Sequence, residues 1–514
     1  MQSHSKICLF VHYNRRSEIS DYVLIFLKSL STLHYRILLL SNSEISEHSR
    51  TRVEKEIPNC RFFLRENKGA DFGAWSWAFA NNLIPKDTDY LLLANDSVIG
   101  PFFNLAYHFE SMYKDDQSDF WGLTDNFQGA WHIQSYFLLL NRQVLQSHAF
   151  QKVFSQNFNN KTKLEIIKDG EVRLSQELIA AGFKGRALFP YEDLDSEKDS
   201  VFSQNSTHFY WDTLITKFKY PFLKRDLLLQ NPENIRNLNS VFHVVRKVSD
   251  FNTELIKSVI VNSLEPTSPV TVPDKKISIL CHLYYPHSIY YFLSKLSILK
   301  SFKADFYFNL SDGLMYDEDF IDVLTRSFSG SVILHTPNKG RDIGGKFALI
   351  DAMLKSENKT DYTLIIHDKL SPHTPTGKTW RDKLFKVIEP ERIEIVLSEF
   401  EANKKTGIIG TKDFVKTEFN PDKKEFDCTS NDILLQKLKD YKLHPKDFNF
   451  IAGTIFWIRS SVLESFFTEH KPLAIRKDFE TGNALDFTKG TLIHAWERLF
   501  TMISTSQGYK IKGI

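Results

Sequence analysis

Short apolar runs alternate with helix-like segments along the first part of the chain. Four runs are predicted as buried strands because they are short, apolar and β-prone: residues 7–13, 35–40, 61–64 and 89–97. Amphipathic or apolar segments between them predict helices near 20–32 and over 72–81. This alternation predicts an α/β fold with a mostly parallel, doubly wound sheet.

One motif in this pattern occurs twice. Asn67-Lys68-Gly69-x-Asp71-x-Gly73 returns as Asn338-Lys339-Gly340-x-Asp342-x-Gly344, each time between an apolar run and a helix-like segment. Such strand-to-helix turns commonly hold a ligand in α/β enzymes. Neighbouring segments repeat in the same order: 7–12 matches 277–282, 89–97 matches 361–369, and 136–142 matches 453–459. The repeat predicts two homologous α/β domains.

Length and composition agree with this organisation. A chain of 514 residues is too long to form one compact core. Its contents of 42% apolar and 25% charged residues are ordinary for a soluble protein. We predict a first domain over 1–238, a linker over 239–275 and a second domain over 276–514. The linker combines a helical pattern over 238–262 with a proline-rich stretch that cannot continue it.

Charge and cysteine content narrow the range of possible functions. The net charge of +2 gives no bulk electrostatic reason to expect nucleic acid as a partner. The four cysteines lack zinc or redox spacing. The polar start is unlike a signal peptide and no apolar run is long enough to span a bilayer, which predicts a cytoplasmic protein that can still contact the membrane surface. Nucleophile-elbow, Walker and dinucleotide motifs are absent from the sequence.

Asp96 and Asp368 end the two copies of an apolar strand. Ligands bind at the carboxyl edge of parallel sheets, and a carboxylate there suits Mg²⁺ or Mn²⁺ bridging two phosphates. We therefore predict both as metal and donor ligands. The alternative is an Asp that begins a turn.

The repeated turn supplies further candidates for donor binding. These are Asn67, Lys68 and Asp71 in the first copy and Asn338, Lys339 and Asp342 in the second. For Asp71 and Asp342 the alternative is capping of the following helix.

Histidines at strand ends form a third group of donor-binding candidates. His12 and His282 end the first strand of each repeat and can contact a nucleobase or pyrophosphate, with a satisfied core histidine as the alternative. His367 and Lys369 belong to a basic loop suited to phosphate.

A reaction at a sugar carbon also needs a general base. Glu171 and Glu177 are the candidates in the first domain, and Glu497 is the candidate in the second. Counting from Gly170 and Gly490 pairs Glu177 with Glu497. A solvated helix face is the alternative for each of the three. His494, Trp496 and Arg498 surround Glu497 in an otherwise apolar segment, where a partly desolvated carboxylate is tuned towards proton transfer.

Several of these motifs together resemble the rhamnan synthesis protein F family. The first half contributes Val11-His12-Tyr13-Asn14, Asn67 to Phe72, Asn95-Asp96-Ser97 with Gly100-Pro101, Phe120-Trp121-Gly122 and His132 to Phe137. The second half contributes Asn338 to Asp342, His367-Asp368-Lys369-x-Ser371, Trp380-Arg381 and His494 to Leu499. The sequence His-Asp-Lys-Leu-Ser departs from the His-Thr-Lys-Lys-Ser expected there.

The resemblance implies two tandem GT-A-like nucleotide-sugar-binding domains. It implies a bacterial glycosyltransferase of surface polysaccharide synthesis, of the rhamnan or O-antigen type, that moves L-rhamnose or a related sugar from a donor such as dTDP-L-rhamnose to a lipid-linked glycan. Peripheral contact with the inner face of the cytoplasmic membrane, or with other assembly enzymes, follows from the same resemblance. Two alternatives stay open: one catalytic domain with an acceptor-binding partner domain, or a non-enzymatic assembly scaffold.

Overall fold

The computed structural model describes residues 5–194, 204–266, 275–368, 382–483 and 490–514. The chain divides into two compact units, Met1–Ile260 and Val261–Ile514. The division falls inside the predicted linker 239–275, and the predicted domain limits on either side stay predictions. Where the pattern predicted one helix over 238–262, the structure has two, Val241–Val248 and Glu254–Ser263.

The strands described in the first unit are, in chain order, β1 (Lys6–His12), β2 (Arg36–Ser41), β3 (Cys60–Leu64), β4 (Tyr90–Asn95), β5 (Val98–Ile99), β6 (Phe120–Asn126), β7 (His132–Ile133), β8 (Phe137–Asn141), β9 (Gly185–Phe189) and β10 (Leu223–Lys224). Its α-helices, besides Val241–Val248, are Asp21–Thr32, Glu47–Glu56, Ala70–Ala80, Ala106–Tyr113, Arg142–Gln146, His148–Phe154, Lys163–Ile166, Arg173–Ala180, Tyr191–Leu194, Ser206–Phe209, Trp211–Thr216 and Arg225–Gln230. A π-helical segment, Ile167–Val172, joins two of these helices, and Arg236–Ser240 is a 3-10 helix.

The main sheet of the first unit has the order β3-β2-β1-β4-β8-β6-β7, with β9 beside β6. Strands β1 to β4 are mutually parallel, and β8 runs antiparallel to both β4 and β6. The parallel strands are continuous apolar runs because helices cover both faces of the sheet. Their carboxyl ends therefore form one edge, at the ends of β1 and β4.

The strands described in the second unit are β11 (Lys276–Leu283), β12 (Lys303–Leu310), β13 (Val332–His335), β14 (Tyr362–His367), β15 (Thr406–Gly410), β16 (Val415–Lys416), β17 (Phe419–Asn420), β18 (Glu425–Phe426), β19 (Phe450–Ile451), β20 (Phe456–Arg459) and β21 (Lys510–Gly513). Its α-helices are Ile289–Leu296, Glu318–Ser327, Arg341–Lys355, Pro390–Ala402, Asn431–Asp440, Ser460–Glu469, Pro472–Arg476 and Leu492–Ser506. Short 3-10 helices cover Pro286–Ser288, Ser297–Ser301, Asp312–Leu314, Phe385–Ile388 and Lys412–Phe414.

The second sheet repeats the topology of the first. Its order is β13-β12-β11-β14-β20-β15-β21, with β11 to β14 parallel and β20 antiparallel to its two neighbours. The expected α/β fold with mostly parallel central sheets is confirmed, with one such sheet in each unit. None of the helices in the described part of the chain combines the length and the hydropathy that crossing a membrane requires.

Candidate active site

The first candidate site lies at the carboxyl end of β4, where Asp96 follows the strand. Its Oδ2 accepts a hydrogen bond from the backbone N–H of Tyr13 at 3.2 Å and lies 3.4 Å from Nη1 of Arg225. The hydroxyl of Tyr22 donates to the backbone carbonyl of Asp96 at 3.1 Å. Asp96 is 9% exposed, so these contacts fix a nearly buried carboxylate at the sheet edge.

Asp71 faces the same edge from the first turn of helix Ala70–Ala80. The helix is capped by Gly69 and not by the Asp71 side chain, so the capping alternative does not explain this residue. Asp71 Oδ2 instead accepts from the amide of Asn95 at 2.6 Å. Burial, reinforced by the charge of Asp96, raises the pKa of Asp71 to about 7.

The glycines of the repeated motif are explained by the turn itself. Gly69 and Gly340 adopt positive φ angles of 71° and 79°. A Cβ at Gly73 would lie 2.3 Å from the carbonyl oxygen of Lys68, and one at Gly344 would lie 1.7 Å from that of Lys339. Only glycine allows the helix to start this close to the preceding turn.

The remaining motif residues make contacts within their turn in the first unit and with a distant segment in the second. Asn67 and Lys68 are exposed, and Lys68 pairs with Glu66 at 2.8 Å. Asn338 donates to Asn483 at 3.2 Å, and Lys339 forms a β-bridge with Thr481. Contact of these four residues with a donor stays a prediction.

His12 and His282 are buried and hydrogen-bonded inside their own units. Nδ1 of His12 lies 3.1 Å from the hydroxyl of Ser41, and Nδ1 of His282 lies 2.9 Å from the amide of Asn309. Burial lowers the pKa of His12 and lowers that of His282 to about 4. These surroundings favour the core-histidine alternative.

Glu171 lies in the π-helical segment Ile167–Val172, an irregularity that is frequent at functional sites. Its Oε2 accepts from the backbone N–H of Ser135 at 2.7 Å and from the Ser135 hydroxyl, and its Oε1 lies 3.3 Å from Nε2 of His132. Burial alone would raise the pKa of Glu171, but the hydrogen bonds from His132 and Ser135 lower it. Burial opposes a charged His132, yet the contact with Glu171 raises the pKa of that ring. Glu171 is therefore stabilised as a carboxylate by these donors.

Glu177 has different surroundings from Glu171. It pairs with Lys152 at 2.8 Å and with Arg173 at 3.3 Å, on an accessible part of helix Arg173–Ala180. These ion pairs are those of a solvated helix face.

In the second unit, Asp342 occupies the place of Asp71 but has other partners. Its Oδ2 accepts from Nζ of Lys346 at 2.8 Å and from the hydroxyl of Thr454 at 3.0 Å. Lys346 is fully buried, and its Nζ also lies 2.9 Å from the Thr454 carbonyl and 3.1 Å from Nδ1 of His367. An ammonium group inside the protein thus neutralises this carboxylate.

Asp368 follows β14 as Asp96 follows β4. Its Oδ2 accepts from the backbone N–H groups of Tyr284 and Tyr285 at 2.8 and 2.6 Å. Burial raises the pKa of Asp368 to about 8, although these two hydrogen bonds act in the opposite direction. Lys369, predicted beside it, lies outside the described residues.

Glu497 lies on helix Leu492–Ser506 and accepts from the backbone N–H of Gly453 at 2.7 Å. Arg498 donates to it at 2.6 Å and also forms a bidentate pair with Glu418. The guanidinium of Arg498 lies 4.4 Å from the ring centre of Phe450. Glu497 is consequently held by a backbone N–H and a basic side chain, as Glu171 is.

Sheet register identifies the true counterpart of Glu497. Tyr90 pairs with Asn141 across β4 and β8, and Tyr362 pairs with Arg459 across β14 and β20. The sequence match of 136–142 with 453–459 is therefore displaced by one residue, and Ser135 corresponds to Gly453. Since these two residues donate to Glu171 and Glu497, the pairing of Glu177 with Glu497 by counting is wrong.

The described residues of each unit offer only part of a ligand set for a divalent cation. The described residues contain no group of three or more His, Cys, Asp or Glu side chains that could hold a metal. Asp96 and Asp368 each offer one carboxylate whose Oδ2 already accepts hydrogen bonds. Mg²⁺ or Mn²⁺ would need further ligands from a bound diphosphate, and its role stays a prediction.

Lys224, Arg225 and Lys346 were not found from the sequence, and His132 was noted only within a motif of the family resemblance. Lys346 carried a usable signal, because a lysine within the apolar run of a buried helix requires a partner. Lys224 and Arg225 reach this sheet edge, where Arg225 contacts Asp96, through pairing of β10 with β5, which no local sequence pattern indicates.

Comparison with known proteins places these sites in context. The family model described as "Rhamnan synthesis protein F" matches residues 37–509. A virulence protein, VirA, of Vibrio anguillarum is 30% identical over 222 residues, which cover 38% of this chain and 70% of VirA. The glycosyltransferase GlyE of Streptococcus pneumoniae is 12% identical, and its structure aligns with a TM-score of 0.25 over 75% of this chain and 90% of GlyE.

Proposed function

The chain belongs to the rhamnan synthesis protein F family, and on this premise we propose that it transfers L-rhamnose or a related sugar from a nucleotide-sugar donor to a lipid-linked glycan. Each GT-A-like unit would carry one transfer site. Asp71 and Asp96 would position the donor in the first unit, and Asp342 and Asp368 would do so in the second.

One observation supports transfer chemistry above the others. In both units a glutamate accepts a hydrogen bond from the backbone N–H of an equivalent residue, Ser135 for Glu171 and Gly453 for Glu497. In the second unit the next residue, Thr454, donates to Asp342, so a single turn connects the donor-side carboxylate with the glutamate. In the first unit Glu171 is near enough for its charge to act on Asp71. Neutral-sugar binding alone does not require such an arrangement.

The proposed reaction follows from these positions. Glu171 or Glu497 takes the proton from the acceptor hydroxyl as that oxygen forms a bond to the sugar carbon. The bond from this carbon to the donor's diphosphate breaks, and the nucleoside diphosphate leaves with the electron pair. His132 and Arg498 hold the respective glutamates in place.

Separate substitutions of the two glutamates test the proposal. Transfer from labelled nucleotide sugars to a lipid-linked acceptor would be measured for Glu171→Gln and Glu497→Gln, with Glu177→Gln as the matched control. Removing a general base should lower one transfer rate about 100-fold or more, while the control retains wild-type activity. If neither variant reduces transfer, the glutamates are not the bases. If the wild type transfers no sugar, the scaffold alternative replaces the proposal.

The same assay addresses finer points. Loss of activity in Glu497→Gln alone would support one catalytic domain with an acceptor-binding partner domain. Running each variant with Mg²⁺, Mn²⁺ or a chelator tests the cation prediction. Cytoplasmic location and peripheral contact with the membrane stay part of this proposal.

A further inference from the structure

Two basic residues of the first unit, Lys224 and Arg225, lie at the donor-side edge without an established role. Strand β10 pairs antiparallel with β5, which places Lys224 opposite Val98. The backbone N–H of Arg225 donates to the carbonyl of Ser97 at 2.9 Å. This pairing holds Arg225 beside Asp96 and places Lys224 where the charges of Asp71 and Glu171 act on it, although these residues are far apart in sequence.

Lys224 has a cation–π contact but no ion pair with the described residues. Its Nζ lies 3.8 Å from the ring centre of Tyr136, and among the described residues no carboxylate lies within ion-pair distance of it. Asp71, Glu171 and Asp226 act on it only through longer-range charge. The ring of Tyr136 is itself fixed by hydrogen bonds to Thr124 at 2.7 Å and to Tyr220 at 2.8 Å. A half-buried ammonium without a paired charge is unfavourable unless a ligand supplies the charge.

The guanidinium of Arg225 makes its hydrogen bonds to the described residues through one nitrogen, Nη1. Its Nη1 donates to the hydroxyl of Tyr22 at 2.7 Å and lies 3.4 Å from Asp96, and these are its side-chain hydrogen bonds to the described residues. The side chain remains 33% exposed. A guanidinium oriented in this way presents its other N–H groups as a planar fork, which matches the oxygens of a phosphate.

A buried charged group anchors the segment that carries this pair. His208 lies 2.5 Å from Glu233 and 3.3 Å from Asp226, the residue after Arg225. The side chain of His208 is 3% exposed. The pair is thus presented by fixed backbone on both sides and not by a loose loop.

We propose that Lys224 and Arg225 bind the diphosphate of the nucleotide donor in the first unit and stabilise its charge as it leaves. This inference rests on the proposed function and adds the residues that recognise the leaving group. Asp96 orients Arg225, which gives this carboxylate a role that does not depend on a metal. Fixed cations aimed at developing negative charge are an efficient source of rate enhancement.

Binding measurements on the full chain test the proposal. Affinities for dTDP, UDP and GDP would be compared with those for the matching nucleosides, in the wild type and in Lys224→Met and Arg225→Met. Hydrogen exchange of residues 221–226 would assign binding to the first unit. Each substitution should weaken binding of the diphosphate about 10-fold or more and leave nucleoside binding unchanged, as expected for loss of a charged hydrogen bond.

Two controls keep the outcome decisive. Lys217→Met removes a nearby lysine that also lies over a ring, that of Phe218 at 4.9 Å, and should bind like the wild type. Arg225→Lys keeps the charge beside Asp96 and should bind better than Arg225→Met. If the wild type binds a nucleoside diphosphate and both Met variants bind it equally well, this inference is overturned while the proposed function stands. If the wild type binds none of the three, the proposed function fails as well.

Discussion

Each of the two units places an equivalent aspartate at the carboxyl edge of its own sheet, but the charge of this aspartate is compensated differently in the two units. Asp71 accepts from a neutral amide, that of Asn95, and is left with a raised pKa of about 7. Asp342 accepts from the buried ammonium of Lys346, at the position where the first unit has Trp75. The first carboxylate is therefore available to a ligand cation or proton, whereas the second is already neutralised within the protein. A shared fold and a shared motif do not give these sites the same electrostatics.

The two glutamates differ in the opposite way: their surroundings are alike in charge, but the residues that provide that charge differ. Glu171 and Glu497 occupy equivalent positions and each is paired with a basic side chain, but this side chain is His132 in one unit and Arg498 in the other. Phe450 precedes Gly453 by the same interval as His132 precedes Ser135, so an aromatic ring under Arg498 replaces the histidine. Here the electrostatic result is retained and the residue that produces it has changed.

Among the predictions that compare the two units, removal of the buried ammonium group of Lys346 has the largest expected effect on stability. In Lys346→Met the partly buried Asp342 would lose its ammonium partner, and breaking a fully buried ion pair costs about 3–5 kcal/mol, which is the upper limit for this pair. We expect a loss of up to this size in the free energy of unfolding, measured by urea titration of the full chain.

The double variant Lys346→Met/Asp342→Asn is the matched control, because it removes both charges together. It should recover a large part of the lost stability. Equal destabilisation in the single and double variants would show that Lys346 acts through packing and not through charge, and the contrast with Asp71 would lose its basis.

Alanine at the second glycine of each turn compares the tightness of the two motifs. Gly344→Ala should destabilise more than Gly73→Ala, because the added Cβ would lie 1.7 Å from a carbonyl oxygen in the first case and 2.3 Å in the second. Overpacking typically costs about 1–3 kcal/mol. Gly313→Ala is the control, since its nearest atom would be 3.9 Å away. Thermal unfolding that ranks Gly73→Ala as the more damaging change would contradict this order.

Most of the fold could be predicted from the sequence because strand and helix patterns are local. The predicted strand over 7–13 is Lys6–His12, and the helix predicted near 20–32 is Asp21–Thr32. Short buried strands that alternate with amphipathic helices are compatible with few fold classes other than α/β. The single helix predicted over 238–262 was wrong, since hydrophobic spacing did not reveal the break near residues 249–253.

The candidate sites could be predicted only in part. Asp71 and Asp342 were recognised from a repeated local motif, but their partners Asn95 and Lys346 differ between units and depend on tertiary packing. The match between Glu171 and Glu497 needed sheet register, because insertions between the repeats make counting unreliable. Lys224 and Arg225 reach the site through pairing of two-residue strands, a contact that carries no sequence pattern.

The exchange of His132 for Arg498 predicts a difference in pH dependence that is smaller than the effects above. The pKa of His132 is raised in the folded protein above its ordinary value of 6.5. Its pairing with Glu171 therefore contributes fully below about pH 6.5 and is lost as the pH rises through the folded value. The stability difference between the wild type and His132→Phe should accordingly shrink between about pH 6 and pH 9. Arg498 stays charged over this range, so the difference between the wild type and Arg498→Met should remain constant. Urea titrations of the full chain across this range would measure both differences, and a flat curve for His132→Phe would mean that the two glutamates are held alike.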